Sequence, residues 1–411
     1  MANPFLRSVK IEGTFLSPVH VGWGRELDTF SCLIRDGRLY YLNLSAMIQR
    51  LRPETRMKFV GIMEKGRLPE VRTFVREHVD LSLDALGSMA VSANLAREYE
   101  AKMDDPKNQL IFQPFFRGNL SFNAILPGSS IKGAMRTAVI DAVLAESRLT
   151  LDGEALRNPR RMESAVLGHR SIDEDPFKAL KVPDLNLGTE STAICSVYNY
   201  SPRRAKLTDL GLRFETVRSE LEGKGVVFQA SLDFFEGLRG AVVAGRGERR
   251  KALSRYVEPE YILAACRRFY SHNLREEHDR FYEKSPYGEA SRKLVERADR
   301  LRPDECLLRV GRFTQAESKS INTYRKVMVR GRGGSRLMDF GTTRNLAHGR
   351  YPLGWMILRF SGVNPEKCEA LRTGLPAPSS FSPDKGRKGE RSASDRPATD
   401  LSRLRDKYRV K

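Results

Sequence analysis

The stretch Leu126-Pro127-Gly128-Ser129-Ser130-Ile131-Lys132-Gly133-Ala134-Met135-Arg136-Thr137 constrains this chain more than any other. An apolar run from Leu120 to Leu126 enters a Pro-Gly turn, and two serines follow where a helix N-cap belongs. Ile131, Ala134, Met135, Ala138, Val139 and Ala142 recur at helical spacing and predict one buried face. Lys132 and Arg136 are four apart and share a different face. A helix start presents free N–H groups and the positive end of the backbone dipole. Small residues and two cations beside it predict a seat for phosphate, with Ser129, Ser130, Lys132 and Arg136 as candidate contacts. An ordinary strand–turn–helix with a solvated basic face fits the same letters. The Gly-x-x-x-x-Gly-Lys-Ser/Thr order of a P-loop is absent, so nucleotide hydrolysis is not implied.

Charge adds a partner class. Lys and Arg number 71 against 51 Asp and Glu, leaving +20 on 411 residues. Such an excess favours a polyanion, because neutralising phosphates releases counterions. The length predicts two domains, and 40% hydrophobic residues suffice for real cores. Cys32, Cys195, Cys266, Cys306 and Cys368 are odd in number and far apart, which supports neither a zinc site nor a disulfide framework. The expectation is therefore no metal and no cofactor. With no signal peptide and no apolar run long enough to span a bilayer, the expected location is the cytoplasm, away from membranes.

Strands and helices mix without regular alternation, which predicts an α+β fold. Residues 8 to 16 alternate as a strand. Thr29 to Ile34 and Arg38 to Leu42 flank Asp36-Gly37 as a hairpin. Residues from about 45 to 110 have a mostly helical pattern, expected as an insertion. A second unit is expected from residue 201, with a strand at Val226 to Phe235, two helices between Tyr256 and Arg302, and strands at Leu307 to Val310 and Trp355 to Phe360. After about residue 365 Pro, Ser and charged residues dominate, predicting a disordered basic tail over 366–411.

Two more segments suit nucleic acid. His20, Gly22, Trp23 and Arg25 lie in a loop where glycines allow a backbone to approach and Trp23 offers a stacking face. A packed tryptophan and a satisfied histidine are the plain alternative. In the C-terminal half Arg312, Lys319, Arg332 and Arg344 sit among glycines and hydroxyl residues, a composition suited to phosphate contacts or to a flexible surface loop.

These motifs resemble the RAMP superfamily, the RNA-binding subunits of CRISPR effector complexes. Leu126 to Ala138 looks like its most recognisable motif. Leu16 to Gly24 resembles the loop after its first strand. Asp175-Pro176-Phe177 with Lys181-Val182-Pro183-Asp184 resembles a mid-chain element, with Pro183 in place of the usual serine. Gly341-Thr342-Thr343-Arg344 and Tyr351-Pro352-Leu353-Gly354-Trp355 resemble the branch that caps the backbone of type III-A Csm complexes. The resemblance implies two ferredoxin-like (RRM-like) domains, at 1–200 with the insertion and at 201–365. It implies a non-catalytic subunit in antiviral defence that holds the 3′ side of the guide crRNA and supports its maturation. Its implied partners are guide crRNA, target RNA, the repeated RAMP backbone subunit, the small helical subunit and host nucleases. An aspartate in the first loop cleaves target RNA in the repeated subunits, so Asp28 carries an alternative reading as a metal-dependent endoribonuclease. A basic scaffold without a dedicated RNA site is a third reading.

Overall fold

The computed structural model describes residues 5–378, except 29, 107–110, 119–121, 148, 154, 156–157, 189, 236–254 and 332–333. The chain runs β1 (Leu6–Phe15), β2 (Cys32–Arg35), β3 (Arg38–Leu42), α1 (Leu44–Arg50), α2 (Pro53–Glu64), α3 (Leu68–His78), α4 (Leu81–Asp84), β4 (Ala85–Ala90), α5 (Ala93–Lys102), β5 (Phe112–Gln113), β6 (Ala124–Leu126) and α6 (Gly128–Ser147). It continues through α7 (Pro159–Leu167), β7 (Leu180–Lys181), β8 (Leu185–Gly188), β9 (Thr192–Ser201), β10 (Lys206–Val217), β11 (Val227–Phe235), α8 (Pro259–Phe281) and α9 (Glu289–Asp299). The remaining elements are β12 (Glu305–Arg309), β13 (Val327–Gly331), β14 (Gly334–Met338), β15 (Arg344–Ala347), β16 (Tyr351–Pro352), β17 (Trp355–Phe360) and α10 (Pro365–Gly374).

The alternation in β1 decides where the core lies. Val9, Ile11 and Phe15 are buried, while Ser8, Lys10 and Glu12 point the other way. β1 pairs with β11 on one side and β17 on the other, in a sheet ordered β12-β17-β1-β11-β7. Its apolar face shares one core with α6 and α8, through Ile131, Met135, Ala138 and Val139 of the first and Ile262, Cys266 and Phe269 of the second. Burying each larger apolar side chain contributes roughly 1.5–3 kcal/mol. All six apolar positions expected on α6 are buried. The order β1, α6, β7, β11, α8, β17 is a β-α-β-β-α-β succession with β1 at the centre of its sheet.

A second sheet, ordered β16-β15-β9-β10-β5, carries its own small core of Cys195, Val197, Phe214, Ala347 and Leu353. The boundary expected at residue 201 falls at the end of β9, and β1, which precedes it, pairs with β11 and β17, which both follow it. Long-range antiparallel pairing, which leaves no local sequence mark, is the reason. The Asp36-Gly37 hairpin is present, with both residues at positive φ (50° and 71°) as a primed turn requires. The helical insertion is present as α1 to α5, but β4 interrupts it and pairs with β3.

Residues 366–375, expected within a disordered tail, are instead ordered as a helix and its C-cap. Asn364 accepts from the Lys367 amide as an N-cap, Pro365 opens α10, and Cys368 and Leu375 join the main core. Residues 379–411, on which the rest of that expectation falls, lie outside the described residues. Among the described residues no helix is long and apolar enough to cross a membrane.

Candidate nucleic-acid interface

The start of α6 is built differently from the serine cap expected. Its first amide, at Gly128, donates to Asp184 Oδ1 at 2.7 Å. A Cβ at position 128 would stand 2.2 Å from the Val182 carbonyl oxygen, so the turn accepts only glycine. Asp184 thus supplies the cap, and Ser129 and Ser130 fall inside the first turn, where neither has to serve as the N-cap.

Those serines border a groove of about 490 Å³. One wall is α6, through Ser129, Ser130, Gly133, Ala134 and Thr137. The other is the end of β12 and the segment after it, through Arg309, Gly311, Arg312, Thr314, Ser318 and Lys319. Val21 and Gly22 of the first loop close one end. Three distant segments therefore meet here. Gly22, Ser129, Gly133, Arg312 and Lys319 are exposed in it. Gly133, Thr137, Thr314 and Ser318 were not singled out from the sequence. The first two were legible, since positions 130, 133 and 137 follow helical spacing. The loop hydroxyls had no such signal.

His20 lies behind this groove rather than in it. It is buried, and its Nδ1 donates to the Glu215 carbonyl at 2.7 Å. Its ring meets Phe115 and Phe214 edge-on, and its own carbonyl accepts from the Arg312 amide at 2.9 Å. Burial, with the charge of Arg312 acting the same way, lowers its pKa below the ordinary 6.5. The expected RNA contact at His20 is corrected to a support for the loop. Gly311 (φ +92°) passes so close that a Cβ there would stand 2.4 Å from the His20 oxygen.

Other expected RNA ligands are engaged internally. Lys132 Nζ donates to the Leu180 carbonyl at 2.7 Å. Arg136 forks onto both oxygens of Asp175, at 2.9 and 2.8 Å, bonds Glu163 at 2.8 Å, and lies over the Phe177 ring. Their shared face, distinct from the apolar stripe as its spacing predicts, binds the protein's own mid-chain segment. Arg344 is fully buried, ion-paired with Glu277 at 2.8 Å and Glu317 at 2.7 Å, and lies over Phe281. Arg309, although it lines the groove, is forked onto Glu277. Arg136 and Arg344 are corrected from phosphate ligands to internal ion-pair partners, because exposure is invisible in a motif.

Trp23 and Arg25 do not line the groove. Trp23 packs edge-on against Phe122 with Arg25 over its ring, which leaves Arg25 exposed. Asp28 Oδ1 accepts from the Ser31 amide at 2.9 Å and its hydroxyl at 2.6 Å, which is the geometry of an Asx turn. Among the described residues no cluster of three His, Cys, Asp or Glu side chains could hold a metal. Arg332 lies outside the described residues.

Comparison with known proteins points one way. The family model for the RAMP superfamily matches residues 12–315. The chain is 25% identical over 219 residues to the CRISPR system Cms protein Csm5 of Methanocaldococcus jannaschii, covering 51% of this chain. The match spans about half of that relative, 50% of its length. Two solved structures share the fold. A chain of a Csm-crRNA-target RNA ternary complex from a type III-A CRISPR-Cas system aligns with TM-score 0.59 at 18% identity, over 85% of this chain and all of that one. The crystal structure of T. onnurineus Csm5 aligns with TM-score 0.55 at 15% identity, over 84% and 99%.

Proposed function

The chain belongs to the RAMP superfamily, and we propose that within it this protein is a crRNA-binding, non-catalytic capping subunit of a type III-A Csm complex. The observation that carries the proposal is the groove. It brings Gly22, Ser129, Ser130, Gly311, Arg312 and Lys319 together from three segments of the chain. Small residues let a ribose-phosphate backbone approach, hydroxyls and amides offer donors, and two exposed cations supply the attraction. Such a surface tracks a strand without reading its bases. Serine and threonine hydroxyls also suit the 2′-OH that distinguishes RNA.

The Csm5 relative and the ternary-complex neighbour support membership in a Csm assembly with guide and target RNA. The proposed protein partners are the repeated backbone subunit and the small helical subunit, with host nucleases acting at the 3′ side of the guide. In this reading the sheet around β1 is one ferredoxin-like unit and the sheet of β9 and β10 belongs to the other. Asp28 is spent on its turn, which disfavours a role for it in cutting RNA.

The test is crosslinking in a reconstituted complex whose guide carries 4-thiouridine near its 3′ end. Crosslinked peptides should come from residues 20–25, 126–137 and 309–319. Crosslinks confined to other segments would overturn the groove assignment.

A further inference from the structure

A second cationic pocket, of about 560 Å³, lies on α8 and shares no residue with the groove. Arg267, Arg268, Ser271, His272 and Arg275 line it from one face of α8, and Arg372 and Thr373 line it from α10. The guanidinium groups are fixed in place. Arg267 donates to the carbonyls of Arg302 at 2.7 Å and Leu301 at 2.9 Å, so it is held by neutral groups rather than by a carboxylate. Arg268 bonds Asp141 at 2.6 Å and the Pro376 carbonyl, yet its buried Nη2 has no hydrogen-bond partner among the described residues. The buried hydroxyl of Ser271 has none either. Asp299, the carboxylate in the lining, is engaged by Arg275.

Buried donors normally find acceptors. Here two residues that line one arginine-rich cavity, Arg268 and Ser271, carry buried donors with no partner among the described residues. An acceptor-rich anion suits such a lining, and guanidinium groups match the oxygens of phosphate in particular. The volume falls within the roughly 300–1,000 Å³ typical of small-ligand sites, which leaves room for more than a bare oxyanion. We infer that this pocket binds a nucleoside phosphate unit, independently of the groove. That unit is either a free nucleotide or one residue of an RNA strand.

The full-length protein is titrated calorimetrically with adenosine 5′-monophosphate, a six-residue oligoadenylate RNA and inorganic phosphate. The double variant Ser271→Ala/Arg372→Ala is tested beside it. Ser271→Ala removes an unmet buried hydroxyl and Arg372 is half exposed, so the variant should melt like the parent. Saturable binding of the monophosphate, weakened about tenfold or more in the variant, supports a free-nucleotide site. Binding of the oligonucleotide alone, with the same sensitivity, supports a strand residue. Arg312→Ala/Lys319→Ala, in the groove, should leave monophosphate binding unchanged. Saturable binding by neither nucleotide, inorganic phosphate binding as tightly as the monophosphate, or equal affinity in a normally melting double variant would overturn the inference.

Discussion

The Nδ1 of His20 donates a 2.7 Å hydrogen bond to the main-chain carbonyl of Glu215. The Glu215 carboxylate in turn accepts from Tyr41 at 2.6 Å, from the Phe115 amide at 2.7 Å and from Thr192 at 2.6 Å, and pairs with Arg117. The first loop, the Asp36-Gly37 hairpin and the second sheet are thereby fastened to one buried centre. The groove rests on it through Gly22 and Arg312.

A pH dependence follows from His20. Burial lowers its pKa in the folded state below the ordinary 6.5, and burial acts in the same direction on His272. The unfolded chain then binds more protons than the folded one, so their contribution is fully present above about pH 6.5 and is lost as pH falls. The melting temperature should decline between pH 7.5 and 5.5. Replacing His20 with Gln should flatten part of that decline, and an unchanged slope would refute the assignment.

Gly311→Ala should destabilise the protein by more than about 1 kcal/mol, because φ is +92° and the new methyl would meet the His20 carbonyl. Urea denaturation measures this. The same change should weaken RNA binding by distorting the groove wall.

The groove was legible in part. The strand–turn–helix, the buried stripe of α6 and the serines beside its start follow from spacing alone. The position of Gly22 and Arg312 against that helix depends on β1 lying between β11 and β17, a pairing across more than 200 residues of chain that no local pattern encodes. Arginine roles were the least legible. Arg136 and Arg344 look like phosphate ligands in sequence and are internal ion-pair partners in space. α10 was missed because only Cys368, Leu371 and Leu375 mark its apolar face amid a polar composition.

Arg136→Ala and Arg344→Ala should therefore act on stability before RNA binding. The first removes a fork to a partly buried carboxylate and should cost about 1–3 kcal/mol. The second strands Glu317 without its buried partner, while Glu277 keeps Arg309, and should cost about 3–5 kcal/mol. Chemical denaturation decides. If Arg136→Ala left stability intact but abolished RNA binding, Arg136 would be a phosphate ligand after all.

Asp28→Ala should leave the target-RNA cleavage ladder of an assembled complex unchanged, since its carboxylate serves a turn. Disappearance of one band in a complex that still assembles would make this residue a cleavage site.

The most direct test of the central claim is guide-RNA affinity across a salt titration, comparing Arg312→Ala/Lys319→Ala with Lys132→Ala. Removing the two groove cations should weaken binding and shallow the log–log salt slope by about 0.7 for each phosphate that is no longer neutralised. Lys132→Ala, bonded to the Leu180 carbonyl in the parent, should keep the parental slope. An unchanged affinity and slope in the groove variant, or a larger drop in affinity from Lys132→Ala, would contradict the account.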